Sequence, residues 1–382
     1  MPTSNAHHVK TTRAALKVGT LNIRGGHSAK TKEKWAHVNR LMREKKLAVL
    51  AIQEGHLTET DVERLHVRFH RTLQIHNTSD PTRPNSKGVA FILNKQLTRW
   101  QEAKVTPLLP GRAILLQLPW KANTSQVNIL AVYAPNDAGE NAEFWSTLEK
   151  SFTENNHPIP DIVLGDFNMV EEMIDRMPAH SDTPNAVANL CSMKELFGIS
   201  DGWRRTYPHQ LDFSYRQAST VNGTHSMSRI DRIYVTDAIL SHSRNWLIED
   251  TVVETDHKLV SMEFINPGTP YIGKGRWVIP MFLLQSRKVW QEINKKGLDL
   301  QERLSDLTNP EKRTDEDNIQ TAFADFKKDI IRFTRNLAKV EVPKMDKTIQ
   351  KYKEWRRGIL NENLPMEEVQ ICIAEIEEKI KE

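Results

Sequence analysis

The sequence predicts an α+β protein: two packed sheets covered by helices, followed by a helical extension. Three features carry this reading. About ten apolar, strand-like runs precede residue 267, and many are adjacent in sequence, without the regular strand–helix alternation of a parallel sheet. Helical periodicity appears between only some of them. Past residue 267 the strand signals stop, and charged, helix-prone stretches take over.

Taken in order, residues 1–14 are polar and read as a flexible tail. LKVGTLNI (16–23) reads as a buried strand, and a helix follows near 31–45 with Trp35, Val38, Leu41 and Met42 on one face. LAVLAIQ (47–53) is the next strand, and 57–69 is a short helical candidate. Strands are expected at 71–76, GVAFILN (88–94), AILLQL (113–118), QVNILAVY (126–133) and DIVLGDF (161–167), with helices near 139–154 and 185–197. SRIDRIYV (228–235), WLIEDTVV (246–253) and KLVSMEF (258–264) complete the strands, so a domain is expected over 15–267. The Pro/Gly-rich stretch from 267 to 280 reads as a linker, bounded at 268–286. Residues 287–382 form the extension, with helical patterns at 282–306, 314–340, 344–358 and 366–381 and Ile330, Phe333 and Leu337 at helical spacing.

The 382 residues suffice for two to three domains and a sizeable core. No apolar run approaches the roughly 18 residues of a membrane span, and the start lacks an apolar signal core. Lys and Arg total 53 against 49 Asp and Glu, which excludes a polycation but not local basic patches. Cys191 and Cys372 are the only cysteines, too few for a disulfide framework or a Cys-rich zinc site. An intracellular, reduced protein is expected. His66 and His70 lie four apart on a candidate helix, but Val67 stands where a zinc protease motif needs Glu, so both are expected on the surface. Lys351, Lys353, Arg356 and Arg357 around Tyr352 and Trp355 read as a solvated helix face, with nucleic-acid contact as the alternative.

Polar residues at the ends of apolar strands are the candidates for chemistry, because a strand end aims a side chain from a rigid scaffold. These are Asn22, Glu54, Tyr133, Asp166, Asn168, Asp231 and the pair Asp256–His257. Singly, most have ordinary readings: turn residues, a rim charge, core packing. Asp231 is harder to dismiss, since a carboxylate inside an apolar strand needs a partner, for which Arg229 and Arg232 are candidates. Together they form the inventory a phosphodiesterase needs. Glu54 and Asp256 are hard oxygen ligands suited to Mg²⁺. Asp166 can orient or deprotonate a water, Asp231 can keep His257 charged, and Asn168 and Tyr133 can donate to developing charge.

The order of these segments, LNIRG, AIQEGHL, VYAPN, GDFN, SRIDRIYV and TDHKLV, resembles the endonuclease/exonuclease/phosphatase superfamily with its DNase I-like fold, over about residues 16 to 265. The resemblance implies a four-layer αββα sandwich with the site at one rim. It implies metal binding by Glu54, Asn22 and Asp256, and action of Asp166 and Asn168 on water and phosphate. Tyr133 would touch the phosphate, and Asp231–His257 would form a charged pair. Repair nucleases of the superfamily often carry Asp two positions after the Asn; here Arg24 stands there, a residue suited to phosphate.

Within the superfamily, GDFNMVEEMIDRMP (165–178), DGWRRTYP (201–208) with FSY (213–215), and GKGRWVIPMFLL (273–284) resemble the endonuclease domain and following linker of LINE-type (non-LTR) retrotransposon polyproteins. No polymerase motif follows, so a form truncated before the reverse transcriptase is expected. The implied activity is nicking of DNA with Mg²⁺, or Mn²⁺ in its place, leaving a 3′-hydroxyl. Arg24, Arg204 and Arg205 are the candidate DNA contacts. Element RNA is a second candidate partner, no membrane is expected, and nuclear action follows from the DNA substrate alone. The alternatives are an apurinic-site nuclease or other phosphodiesterase on the same fold, and a non-catalytic nucleic-acid-binding relic.

Overall fold

The computed structural model of the chain describes residues 15–25, 30–80, 87–120, 126–217, 226–265, 277–362 and 365–381. The expected tail and residues 268–276 of the expected linker lie outside these. The described residues fall into two compact units. The first runs to Gly273 and is rejoined by Leu360–Cys372; the second covers Lys274–Ile359 and Ile373–Ile380.

The strands of the first unit are β1 (Ala15–Asn22), β2 (Val49–Gln53), β3 (Leu73–Thr78), β4 (Val89–Asn94), β5 (Lys104–Leu109), β6 (Ala113–Pro119), β7 (Gln126–Tyr133) and β8 (Ile162–Asp166). They continue as β9 (Arg176–Met177), β10 (Ile199–Asp201), β11 (Tyr215–Arg216), β12 (Met227–Ser228), β13 (Asp231–Thr236), β14 (Ser243–Glu249) and β15 (Leu259–Ile265). One six-stranded sheet has the order β14-β15-β1-β2-β4-β3, a second has β10-β13-β8-β7-β6-β5, and β11-β12-β9 form a small third sheet. Only β1–β2 and β7–β8 pair in parallel within the two large sheets.

Each large sheet is apolar on both faces, which is why strands such as VLAIQ show no alternation. Val18, Ala51, Phe91, Leu116, Ile129, Leu164 and Ile233 fill the space between the sheets. On the outer face of the first sheet, Leu21, Leu50 and Ile92 pack with Trp35, Val38 and Met42 of α1 (Lys30–Glu44) and Leu65 of α2 (Glu59–Arg68). On the outer face of the second, Leu115, Leu130 and Val163 pack with Trp145 and Leu148 of α3 (Ala138–Asn155) and Leu190 of α4 (Pro184–Phe197). Four layers result, helix–sheet–sheet–helix, as in DNase I-like endonucleases. Thr58 and Asp61 form a capping box at the start of α2, and Asp137 accepts two backbone N–H groups at the start of α3.

The structure departs from the sequence reading in several places. β5 and β10 are additional strands; KVTPLL of β5 is an exposed edge strand whose Pro107 masks the signal. The strand expected at 246–253 lies at Ser243–Glu249, because it pairs with Leu259–Ile265 through a bulge between Arg244 and Leu247. His66 is not simply on the surface: its Nε2 accepts the backbone N–H of Ile75 at 3.0 Å, while His70 turns to the carbonyl of Val67.

Two short helices, α5 (Gly202–Thr206) and α6 (Asp237–Leu240), belong to the first unit; in the second, α7 (Arg287–Asp306) and α8 (Ile319–Asn361) dominate, and α9 (Met366–Lys381) is divided between the units. The helices expected at 314–340 and 344–358 are one helix, running through Pro343. Residues 277–286, expected as the end of the linker, are packed: Leu283 is buried with Val289 and Ala338 beside Trp277, Phe282 and Phe333. Arg356 is buried and pairs with Glu377 at 3.6 Å, so it is not part of an open basic face.

Candidate active site

Strand direction gathers the polar strand ends at one rim. Asn22 ends β1 and pairs in register with Gln53, so Glu54 emerges beside it. In the second sheet Tyr133 ends β7 opposite Asp166, which ends β8; β13 runs antiparallel, so its first residue, Asp231, also stands opposite Asp166. His257 joins the rim through an isolated bridge to Tyr215. The backbone is tight here. Glu54 and Asn168 lie in the left-handed region at φ 52° and 50°, an uncommon state for non-glycine residues. A Cβ on Gly165 (φ 154°) would stand 2.0 Å from the Val132 carbonyl oxygen. Only glycine lets β8 approach β7 so closely at that position.

The side chains form one network across the gap between the sheets. The Asn22 amide donates to Glu54 Oε1 at 3.0 Å and to Asp166 Oδ2 at 2.9 Å. The Tyr133 hydroxyl donates to the same Glu54 oxygen at 3.0 Å. Asp166 Oδ1 accepts the backbone N–H of Asn168 at 3.0 Å, and Asn168 Nδ2 donates to the Ala134 carbonyl at 2.8 Å. Asp231, with no exposed surface, holds His257 Nδ1 at 2.8 Å through Oδ2. Thr255 ties the His257 loop to β1, donating to the Asn22 carbonyl at 2.8 Å. A cleft over this network is lined by Arg24, Glu54, Asp166, Arg176, Tyr215 and His257.

A model of the endonuclease/exonuclease/phosphatase family matches residues 19–257, which span this whole network. The chain belongs to the endonuclease/exonuclease/phosphatase family. It is therefore placed among metal-dependent hydrolases. It is 31% identical over 167 residues to a Xenopus laevis protein described as "Transposon TX1 uncharacterized 149 kDa protein"; the match covers 43% of this chain and 12% of that protein. Among solved structures it resembles the AP endonuclease of Leishmania major (TM-score 0.54, 17% identity, 66% of this chain and 88% of that one). It also resembles an AP endonuclease from Archaeoglobus fulgidus (TM-score 0.51, 18% identity, 65% and 99%). These two show the shared fold.

The family site in this chain has a marked electrostatic order. Burial, and then the charge of Asp231, push the Asp166 carboxyl up to about 7. Burial alone would lower the His257 imidazole, but the charge and hydrogen bond of Asp231 outweigh it and raise it to about 9. Burial and the charges of Glu54 and Asp166 push the Tyr133 phenol well above its ordinary range, so it remains a donor.

The family's metal has a matching donor set. Asp166, Asp231 and His257 bring ligand-type atoms within 4.8 Å of one another, but the bond between Asp231 and the charged His257 ring engages two of the three, which leaves Glu54 and Asp256 as the hard-oxygen donors beside Asp166. Oδ1 of Asp231 and Oδ1 of Asp256 are buried without a hydrogen-bond partner among the described residues. Orphaned carboxylate oxygens in a cleft of hard donors fit a cation.

Several expected roles need correction. Asn22 turns its amide N–H groups to the carboxylates of Glu54 and Asp166, and its oxygen accepts the Arg24 backbone N–H at 2.9 Å, so it ties the two carboxylates together. Asp231 is partnered by His257, not by Arg229 or Arg232. Arg229 instead grips Asp175 at 2.6 Å and Asp201 at 2.7 Å, and Arg232 reaches Glu171. Arg204, expected at the DNA, is turned inward: its guanidinium pairs with Asp175 and donates to the carbonyls of Tyr207, Pro208 and Gln210. Arg205 is exposed but lines a separate pocket beside Tyr207 and Trp246. Arg24 does stand at the cleft, paired with Asp256 at 2.9 Å. Sequence reasoning missed Thr255, Tyr215, Arg112 and Arg176; the T in TDHKLV and the R in MIDRMP were the available signals.

Proposed function

We propose that the chain is a Mg²⁺-dependent endonuclease of the retrotransposon type that nicks DNA and leaves a 3′-hydroxyl. The observation that carries the reading is the Asp231–His257 pair facing Asp166 across one cleft, with Glu54 bridged to Asp166 by Asn22. A phosphodiester needs a base for water, positive charge for the phosphate, and a ligand set for a hard cation, and these residues supply all three. The similarity to the TX1 transposon protein favours the retrotransposon branch.

Glu54 and Asp256 would hold the cation, with Asn22 fixing Glu54; when bound, the cation supplies Lewis-acid charge on a phosphate oxygen. Asp166, its two oxygens oriented by Asn22 and Asn168, takes a proton from the attacking water. The P–O3′ bond breaks with its electron pair on the 3′-oxygen, which takes a proton from solvent water, giving a 3′-hydroxyl and a 5′-phosphate. His257, its Nδ1 side held by Asp231, directs Nε2–H to a non-bridging oxygen. The second N–H of Asn168 steadies the same group, while Tyr133, its hydroxyl on Glu54, fixes that carboxylate beside it. Arg24 contacts a phosphate at the cleft mouth.

The test is conversion of supercoiled plasmid to open circle in Mg²⁺, with EDTA as control and an abasic duplex run beside an intact one. Mg²⁺-dependent nicking of intact DNA with 3′-hydroxyl ends is expected. Cleavage restricted to the abasic duplex would replace the reading with a repair nuclease. Tight DNA binding without cleavage would replace it with a non-catalytic relic.

A further inference from the structure

We propose that Arg112 is a positioning residue that holds the Tyr133 phenol on Glu54. Arg112 sits in the turn between β5 and β6, after Gly111, whose φ of 67° shapes the turn. From there it grips one residue in three ways. Its carbonyl accepts the Tyr133 backbone N–H at 2.8 Å. Its Nη1 donates to the Tyr133 carbonyl at 3.1 Å. Its guanidinium carbon stands 4.7 Å from the centre of the Tyr133 ring.

These contacts matter because of where Tyr133 lies. The ladder between β6 and β7 ends at Ala113↔Val132, so Tyr133 is one residue beyond it. Arg112 extends the grip to the residue that carries the phenol, and its cation over the ring face restricts how the ring can turn. The other end of the ring is the hydroxyl on Glu54 Oε1. Glu54 is itself in a strained, left-handed conformation after β2, in the opposite sheet. A chain of contacts therefore runs from the β5–β6 turn through Tyr133 to the acidic residue at the centre of the site. Arg112 makes two hydrogen bonds and its ring contact with Tyr133, so it acts through Tyr133. A small displacement at a reacting centre costs rate much more than it costs binding.

The inference rests on the nuclease reading, so its test carries one readout that needs no activity. Arg112→Met keeps the aliphatic stem and removes the charge and donors; Arg112→Lys keeps the charge but not the fork. Plasmid nicking should fall about 10- to 100-fold in kcat for Arg112→Met with KM nearly unchanged, and less for Arg112→Lys. In the Tyr133→Phe background, Arg112→Met should cost less than about 3-fold, since the hydroxyl it aims is gone. With tyrosines labelled at the phenol carbon, the NMR resonance that Tyr133→Phe removes should move in Arg112→Met. If Arg112→Met multiplies its full loss onto Tyr133→Phe and lowers the melting temperature, its role is only structural and the proposal is overturned. An unmoved resonance and wild-type kcat overturn it too; should Arg112→Met fail to fold, wild-type kcat and an unmoved resonance in Arg112→Lys do the same. If the wild type cleaves no DNA yet the resonance moves, the positioning stands and the nuclease reading fails.

Discussion

Replacing Asp231 with Asn removes one charge from the buried Asp231–His257 pair and leaves the shape nearly intact. The His257 imidazole stands at about 9 only because Asp231 outweighs burial. The gap from its ordinary 6.5 corresponds to about 3 kcal/mol of preference for the charged form. At pH 7.5 the wild-type ring is mostly protonated; without Asp231, burial pulls it down against only the weaker pull of Asp166 and Asp256. A loss of nicking on the order of tenfold at pH 7.5 is expected from the lost charge. The pH profile is the sharper readout. With Asp166 at about 7 deprotonated as base and His257 at about 9 protonated against the phosphate, the wild-type rate should peak near pH 8. Asp231→Asn withdraws the charge that raises both groups, so both limbs and the optimum move to lower pH. Stability should move with them. A folded value raised above the ordinary one stabilises fully below about 6.5 and ceases to do so as pH rises through about 9. The melting-temperature gap between wild type and Asp231→Asn should therefore be widest near pH 6 and narrow beyond pH 9. A variant with an unchanged optimum, or with full activity at pH 8, would refute the charged-pair reasoning.

Three other outcomes are expected. Glu54→Gln should lower plasmid nicking by at least about 10², several kcal/mol of transition-state stabilisation, with the folded circular-dichroism spectrum retained; wild-type rates would remove Glu54 from the cation site. Gly165→Ala should destabilise the fold by more than about 3 kcal/mol in a urea titration, since its Cβ would stand 2.0 Å from the Val132 oxygen at a φ that L-residues rarely adopt. Asp175→Asn should cost about 3–5 kcal/mol, because Arg229, Arg204 and Arg232 all converge on that carboxylate. Burial alone would raise Asp175, but Arg229 and Arg232 outweigh it and lower it to about 2. Its contribution is present above about pH 4 and lost as pH falls through 2, so the variant and wild type should converge in acid.

The catalytic rim was legible because its residues end apolar strands, and strand direction alone brings Asn22, Glu54, Tyr133, Asp166 and Asp231 to one end. Roles within the rim were less so. Nothing local distinguishes an asparagine that offers oxygen from one that donates, and Asn22 does the latter. Arg204 and Arg205 looked equivalent as neighbours. On a helix they point about 100° apart, and Arg204 turns inward to Asp175, 29 positions away in sequence. Arg112 and Thr255 sit in turns without an apolar run, so their value depends on contacts far along the chain. β5 was hidden because an exposed edge strand carries no burial pattern, and α8 because Pro343 reads as a stop that the helix overrides.

Two of the hydrogen bonds that cross from one sheet to the other, Asn22 to Asp166 and Tyr133 to Glu54, make the site a gauge of sheet alignment. Neither sheet owns a complete set of groups. A truncation at the shared core, such as Phe91→Leu, that lets the sheets slide by a fraction of an ångström would stretch both bonds at once while leaving each ladder intact. Turnover should then decline at temperatures where circular dichroism still reports full strand content. Heat inactivation would precede melting, and selection on catalytic rate would act on the packing between the sheets as directly as on the polar residues at their rim.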